Sequence, residues 1–345
     1  MVSPSRGNKP KGDGAEACIF CPNGRELLAK PFLDGDFLDE MVKRELYILD
    51  NAYPVTSSDN SPVDGSEHSE SLGIYYTGTE ARGKHLVMIE TNKHDLDPFS
   101  AGAETRAYYR NLAWGYSQML RSLKNEGYAW GGVGKNRNGV SKDGKTIDAG
   151  ASQAHPHSQA IAMNTFVPRS LEENMQSTRD VDAFLGPDGN EILWLRGCPG
   201  CLEGRENNYA RALHTNGQYV SFVAPVPKGP NPYHVEIRIV PLAHQSHFED
   251  MSLHQQDSFA DILHDTMVSL SKPYPNMGYN FEMRQGPWKP HNNWKDPRSS
   301  HWEFSIYPAW PKLDTEKHTG FIPHLIGASV MKISPEEIAR QIKGI

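Results

Sequence analysis

Ala149-Gly-Ala-Ser-Gln-Ala-His-Pro-His-Ser-Gln159 places His155, His157 and Gln159 at alternating positions. In an extended strand, alternate side chains share one face. That face would carry two imidazoles and an amide, with Ser152 and the small residues Gly150 and Ala151 just upstream. Histidine serves as a metal ligand, a proton carrier or a nucleophile, and glutamine both donates and accepts hydrogen bonds. The same pattern is also that of an ordinary strand with a polar solvent face. The rest of the chain decides between the two.

The four cysteines fall as two pairs, Cys18-Ile-Phe-Cys21 and Cys198-Pro-Gly-Cys201. Each pair opens a similar run of features. After the first come a helix around Asp36–Leu49, the loop Leu49–Val55, a Ser- and Asp-rich surface loop over 56–72, and a strand His85–Glu90 that leads to His94. A helix follows, with Ser100 as its cap and Leu112, Tyr116, Met119, Leu120 and Leu123 at helical spacing. A strand beginning at Tyr128–Trp130, a polar loop over 136–148 and the histidine strand complete the run. After the second pair come the strand Tyr219–Val223, a strand from His234 to Val240 that runs on to His244, and a helix. Ser252 and Gln255 are spaced as that helix's capping box, and Phe259, Ile262, Leu263, Met267 and Leu270 form its apolar face. The strand Tyr279–Met283, a loop over 287–300 and the strand from His301 to Pro308 close the second run.

Aligning His94 with His244 sets Ile89 opposite Ile239, and His301 takes the place of His155. Each run therefore supplies two cysteines and two histidines: Cys18, Cys21, His94 and His155, then Cys198, Cys201, His244 and His301. Four such ligands are what a closed tetrahedral zinc site needs. A redox use of CxxC calls for a strand-to-helix turn near a βαβ pattern, which neither pair has. The expected fold is α+β, with two similar halves, each a mainly antiparallel sheet with a long helix. The expected bounds are 1–165 for the first half, 166–196 for a connector and 197–345 for the second half.

A chain of 345 residues has room for two such halves. Its net charge of −7 argues against a general nucleic-acid binder. No apolar run is long enough to span a membrane, and no signal-peptide core follows the basic N-terminus, so the expected place is the cytoplasm. Disulfides are not expected there. Trp288, Trp294, Trp302 and Trp310 are read mostly as structural, and His234, His247, His254, His264 and His318 as surface residues rather than ligands.

His155-Pro-His-Ser-Gln159, with Ala149–Ser152 before it, resembles the active-site signature of the galactose-1-phosphate uridylyltransferases, a family of the histidine-triad superfamily. The resemblance runs over nearly the whole chain. Ser3–Pro10 is similar to the family's basic N-terminal segment, Cys18-x-x-Cys21 to its first zinc cysteines, and Ile89–His94 to its strand ending in a zinc histidine. Lys135-Asn136 stands where the family has an asparagine before a glycine-rich stretch, and Pro335–Ala339 resembles the start of its C-terminal helix. The second cysteine–histidine set resembles the two-zinc members.

The resemblance implies a nucleotidyltransferase acting on a nucleotide sugar and a sugar 1-phosphate through a covalent nucleotidyl-His157. It gives Gln159 and Ser152 supporting roles, together with backbone amides nearby. It places substrate contacts at Arg6, Asn51, Lys135, Asn136 and Gln159, and structural zinc at the two ligand sets. A homodimer also follows from it, although two fused halves could supply the paired architecture in a monomer. Departures cluster toward the acceptor side: Gly320-Phe-Ile-Pro-His324 lacks a glutamate of the hexose-using members, Glu303 replaces a histidine, Ala309-Trp310 lacks an arginine, and the loop over 136–148 is longer. Two other readings stay open, phosphorolysis or hydrolysis by the same superfamily, and a zinc-stabilised binding module without catalysis.

Overall fold

The computed structural model describes residues 18–27, 32, 36–56, 82–164, 200, 204, 210–224, 235–273, 275–290, 297–309 and 335–344. The strands are β1 Tyr47–Asp50, β2 Gly83–Ile89, β3 Trp130–Arg137, β4 Gly139–Val140, β5 Thr146–Ile147, β6 His157–Met163, β7 Ala212–Thr215, β8 Tyr219–Val223, β9 Ile237–Pro241, β10 Gly278–Arg284 and β11 Glu303–Ala309. The helices are α1 Asp36–Lys43, α2 Ala103–Asn125, α3 Leu253–Ser271 and α4 Pro335–Lys343, with a 3-10 turn at Pro22–Leu27. Nine strands form one sheet in the order β1-β2-β6-β3-β10-β11-β9-β8-β7, and β4 and β5 pair apart from it. Every pairing among the described strands is antiparallel. The protein is therefore an α+β structure.

The strand order reads alike from both sides of the central β3–β10 pair: β6, β2 and β1 on one side, β11, β9 and β8 on the other. Gly134 on β3 pairs with Gln159, four residues after His155, and Glu282 on β10 pairs with Ser305, four residues after His301. Gly134 and Glu282 pair with each other at the centre of the sheet. Met88 pairs with Ser158, three residues after His155, while Ile239 pairs with Phe304, three residues after His301. By ladder position Ile239 thus matches Met88 and not Ile89, one residue away from the expected alignment. It matters because such a slip exchanges the faces of a strand, and both Met88 and Ile239 point into the helix-side core.

That core lies between the sheet and the paired helices α2 and α3. Tyr116, Met119, Leu120 and Leu123 from α2 and Phe259, Ile262, Leu263, Met267 and Leu270 from α3 are all buried in it. Trp302 is fully buried among Phe248, Phe259 and Tyr219, with ring centroids 5.1, 5.7 and 5.8 Å away. Arg106 bridges the helices through Asp261 and Asp265 at 3.0 and 2.9 Å. The capping box at Ser252 and Gln255 forms as the spacing predicts. Ser100 does not cap α2: Gly102 does, and Ser100 Oγ accepts the Gly102 N–H at 3.2 Å. The first helix ends at Lys43 rather than Leu49. Glu45 takes a positive φ of 58°, and Tyr47–Asp50 then pairs with β2, so the sheet claims the residues that helical spacing had assigned to α1. The connector over 166–196 lies outside the described residues.

Candidate functional site

Three chain segments meet at the start of β6. Cys18 and Cys21 come from the 3-10 turn region, His94 from the loop after β2, and His155 from the bend before β6. Their four ligand atoms all lie within 4.8 Å of one another. Cys21 Sγ is 3.5 Å from Nδ1 of His94 and 3.5 Å from Nδ1 of His155. A tetrahedral zinc-sized ion, with bonds of about 2.3 Å to sulfur and about 2.05 Å to nitrogen, has S···N edges of about 3.6 Å. Neither cysteine is in a disulfide. His155 Nε2 lies 2.9 Å from the Thr91 carbonyl oxygen, which can only accept. The ring proton therefore sits on Nε2, and Nδ1 carries the lone pair a metal needs. The set can hold a metal ion with all four positions filled by protein.

Of the second set, Cys198 and Cys201 lie outside the described residues. His244 and His301 are described, and their rings stand 5.4 Å apart at 81°. Those are also the values for His94 and His155. Each Nε2 is again at a backbone carbonyl, that of Arg298 for His244 (2.8 Å) and that of Pro241 for His301 (3.1 Å). Gly200, between the two cysteines in sequence, packs so tightly on His301 that an added Cβ would come within 2.6 Å of its ring.

His155 sits in the bend ahead of β6, so only His157 and Gln159 alternate on the strand itself. His157 is buried, and its Nδ1 lies 2.8 Å from the His155 carbonyl oxygen. That carbonyl accepts the Nδ1 proton, which leaves the lone pair on Nε2. Nε2 is thereby the basic nitrogen of the ring, which stands 5.4 Å from the Phe20 ring. Gln159 Oε1 lies 2.8 Å from His85 Nε2. Ser152 is half-buried in the bend that precedes β6.

The other expected contacts fall less simply. Lys135 has a side chain only 1% exposed, and its ammonium bonds Glu90 and, at 3.1 Å, the Tyr108 hydroxyl. It anchors the sheet from its helix side and has no exposure to offer a substrate phosphate. Asn136 is also drawn into structure, with Nδ2 on the Gly150 carbonyl at 3.3 Å and Oδ1 accepting from Asn280 at 2.5 Å. The Ala149 and Ala151 amides donate to Asn138 Oδ1 at 2.8 and 3.1 Å, and the Gly150 amide donates to Asp148 at 2.8 Å. Those three amides are engaged within the loop and do not serve a developing charge. Asn51 is half-buried: Oδ1 accepts from Tyr53 N–H at 2.9 Å, and Nδ2 lies against His85. Arg6 lies outside the described residues.

Sequence reasoning missed Glu90, Asn138, Asn280 and His85. Glu90 collects Lys135, Ser158 and the Tyr108 hydroxyl (2.5 Å), and Tyr116 meets Ser158 at 2.7 Å. Ser158 lies between His157 and Gln159, so the network ties β6 to β2, β3 and α2 from behind. Burial pushes the Glu90 carboxyl up, and the Lys135 ammonium with the hydrogen bonds to Lys135, Ser158 and Tyr108 outweighs it, holding Glu90 below the usual glutamate value. Burial pulls Lys135 down to about 8 against the opposing pull of Glu90. Replacing Lys135 with Met alone leaves a buried carboxylate unpaired and is expected to cost about 3–5 kcal/mol, while the double variant Lys135→Met, Glu90→Gln is expected to cost much less. Urea unfolding measures both. Lys135 holds its proton less tightly when folded than when unfolded. Its contribution to stability therefore rises with pH from about 8 to the ordinary lysine value of about 10.4. The double variant is expected to lack that rise.

His247 and His264 are buried core residues and not surface ones. His264 is tied to Asp265 at 2.9 Å and to the Ser100 carbonyl at 3.2 Å. His247, Glu249 and Asp250 form a second group of ligand-type atoms. There Lys124 supplies the cation, 3.0 Å from Glu249 and 3.1 Å from Asp250. Trp302 is core, and Trp288 donates to Glu249 at 2.7 Å, both structural as expected. His234, His318, Trp294 and Trp310 lie outside the described residues. Among the described residues no helix is long and apolar enough to cross a membrane.

No protein-family model matches the chain. Over 364 aligned residues the chain is 23% identical to ADP-glucose phosphorylase of Arabidopsis thaliana, covering 100% of this chain and 89% of that protein. A solved uridylyltransferase matches with a TM-score of 0.68 and 23% identity, over 97% of this chain and 93% of that one. A GalT-like protein of Arabidopsis thaliana matches at 0.66 and 20% identity, over 96% and 93%. An Arabidopsis thaliana ADP-glucose phosphorylase solved with bound ADP-glucose matches at 0.66 and 20%, over 99% and 94%. The chain shares the fold of these proteins, the group that its histidine motif resembles.

Proposed function

We propose that this chain is a nucleotidyltransferase that takes a nucleoside monophosphate from a nucleotide sugar onto His157 and passes it to a phosphate-bearing acceptor. The observation that carries the reading is the 2.8 Å contact from His157 Nδ1 to the His155 carbonyl, which puts the ring proton on Nδ1 and the lone pair of this buried imidazole on Nε2. Nε2 attacks the α-phosphorus, the bond from phosphorus to the bridging oxygen breaks, and sugar 1-phosphate leaves. The imidazole gains positive charge as the P–N bond forms, and the His155 carbonyl oxygen on Nδ1–H stabilises it. In the second step an acceptor phosphate oxygen attacks the same phosphorus and the P–N bond breaks. Splitting the transfer in two is what nucleophilic catalysis gains. The NH2 end of Gln159 donates to a phosphate oxygen, and Ser152 supports it.

Zinc is the proposed ion for Cys18, Cys21, His94 and His155, on the strength of the sulfur–nitrogen donor set and its edge length. With four protein ligands its part is structural. His155 is held on one side and lends its carbonyl to His157 on the other. A second zinc at Cys198, Cys201, His244 and His301 is supported by the matching ring geometry and by Gly200 on His301. The reading of the chain as two related halves, divided near 165 and 197, is supported by the mirrored strand order and the central Gly134–Glu282 pair. At the place that His157 holds in the first half, the second carries Glu303, 3.2 Å from Arg284, so the nucleophile is not duplicated there.

Sugar 1-phosphate is the acceptor of the uridylyltransferase type. Phosphorolysis is favoured by one observation, the similarity along the whole chain to a protein named ADP-glucose phosphorylase. Incubation with ADP-glucose or UDP-glucose, with and without inorganic phosphate or a second sugar 1-phosphate, separates the two. Nucleoside diphosphate appearing only with phosphate establishes phosphorolysis, and a new nucleotide sugar appearing only with sugar 1-phosphate establishes exchange. Release of nucleoside monophosphate regardless of acceptor would make the chain a hydrolase instead.

A further inference from the structure

We propose that His85 fixes the side-chain amide of Gln159, so that its NH2 end and not its carbonyl faces a bound phosphate. The proposal rests on the transfer reading above for what the amide meets, and on geometry alone for how the amide is held.

His85 stands on β2, which pairs along β6 with Val87 opposite Gln159 and His85 opposite Ile161. His85 and Gln159 are thus diagonal neighbours on one face, within reach of long side chains. His85 is 4% exposed. The Val55 backbone N–H donates to its Nδ1 at 3.1 Å. A peptide N–H can only donate, so Nδ1 must carry the lone pair, and the proton of the neutral ring sits on Nε2. Nε2 lies 2.8 Å from Gln159 Oε1 and therefore donates to it.

The consequence falls on the far end of the amide. The terminal torsion of glutamine is broad and nearly two-fold, so an unheld amide turns over readily. One orientation offers N–H donors to a phosphate oxygen, and the other offers a carbonyl oxygen that repels it. With Oε1 committed to His85, only the donor end remains for the ligand. His85 acts through Gln159 and is a positioning residue.

The segment after β1 sets this up. Asn51 N–H donates to the His85 carbonyl at 2.8 Å and ties the segment to β2. Asn51 Nδ2, itself a donor, lies 3.0 Å from Nε2 and 3.3 Å from Nδ1 and competes with Gln159 at Nε2. The Val55 peptide N–H on Nδ1 decides for the Nε2–H tautomer, and the tautomer selects which way the amide points.

Two measurements on the zinc-loaded protein test this. Long-range proton–nitrogen spectra, with the His85 signal assigned by its loss in His85→Gln, should show the Nε2–H tautomer. Protonation at Nδ1 would overturn the proposal. This result needs no substrate, so the hydrogen bond is judged separately from the transfer reading.

The second measurement is a double-mutant cycle on the rate of nucleotidyl-His157 formation from ADP-glucose and UDP-glucose. His85→Leu should slow it about tenfold, the scale of one hydrogen bond, without changing metal content. His85→Gln, which returns an N–H donor, should recover most of the loss. In a Gln159→Leu background, His85→Leu should cost nothing further, because its only route to the phosphate has gone. Losses that add in full would show a structural role and overturn the proposal.

Discussion

Replacing His157 with alanine is expected to lower nucleotidyl transfer by roughly three orders of magnitude or more, leaving metal content and thermal stability near those of the unaltered protein. The size of the effect follows from the ring's position. His157 is buried, its Nδ1–H is held by the His155 carbonyl, and Nε2 is the nitrogen that carries the lone pair. The groups beside His157 and at its matching place do not inherit the role. Gln159 is an amide, Lys135 is buried on Glu90, and Glu303, at the corresponding place across the sheet, is ion-paired with Arg284. Steady-state assays with each nucleotide sugar, alongside metal analysis and a melting curve, check this. Turnover within tenfold of the unaltered enzyme would mean that a different group bears the nucleotide.

Replacing Cys18 with serine is expected to remove one metal ion per chain and to destabilise the fold by several kcal/mol, because metal binding free energy counts as folding free energy. At roughly 1.4 °C per kcal/mol for a chain of 345 residues, a loss of about 5 kcal/mol should lower the melting temperature by about 7 °C. Activity should fall with it, since His155 would lose its metal-side anchor and its carbonyl would no longer hold His157. Atomic emission on the purified variant reads the stoichiometry directly: two zinc ions per unaltered chain and one in the variant. One ion in the unaltered chain would remove the second set, Cys198, Cys201, His244 and His301, from the account. An unchanged count in Cys18→Ser would remove the first.

The first ligand set was legible because a metal ligand is a residue type at a spacing, and order along the chain carries that signal. The pairs Cys18–Cys21 and Cys198–Cys201, each followed by two histidines, needed no coordinates to be noticed. The α+β layering was legible for the same kind of reason. The apolar faces of α2 and α3 recur at helical period, and the box at Ser252 and Gln255 marks a helix start by chemistry alone. The buried polar groups were not legible. Lys135 lies in a strand reading Trp-Gly-Gly-Val-Gly-Lys-Asn-Arg, where side-chain alternation says little about facing, and its partner Glu90 is 45 residues away. His85 reaches Gln159 because β2 and β6 pair with Val87 opposite Gln159, a register that order along the chain does not state. The one-residue offset between Ile89 and Ile239 has the same origin. Loop lengths between strand and histidine differ on the two sides, and only the ladder shows where each strand stops. Asn136 shows the converse error: a residue type suited to a ligand is used instead by Asn280 and Gly150 to shape the loop before Ser152.

The central claim is a covalent nucleotide on one nitrogen of one histidine. Intact-protein mass spectrometry under a non-acid quench, after mixing with ADP-glucose, UDP-glucose and related nucleotide sugars, tests it most directly. The account predicts a mass gain of one nucleoside monophosphate, mapped by peptide analysis to His157 and absent from His157→Ala. A nucleotide mapped to another residue, or products formed at full rate with no adduct at any quench time, would contradict it.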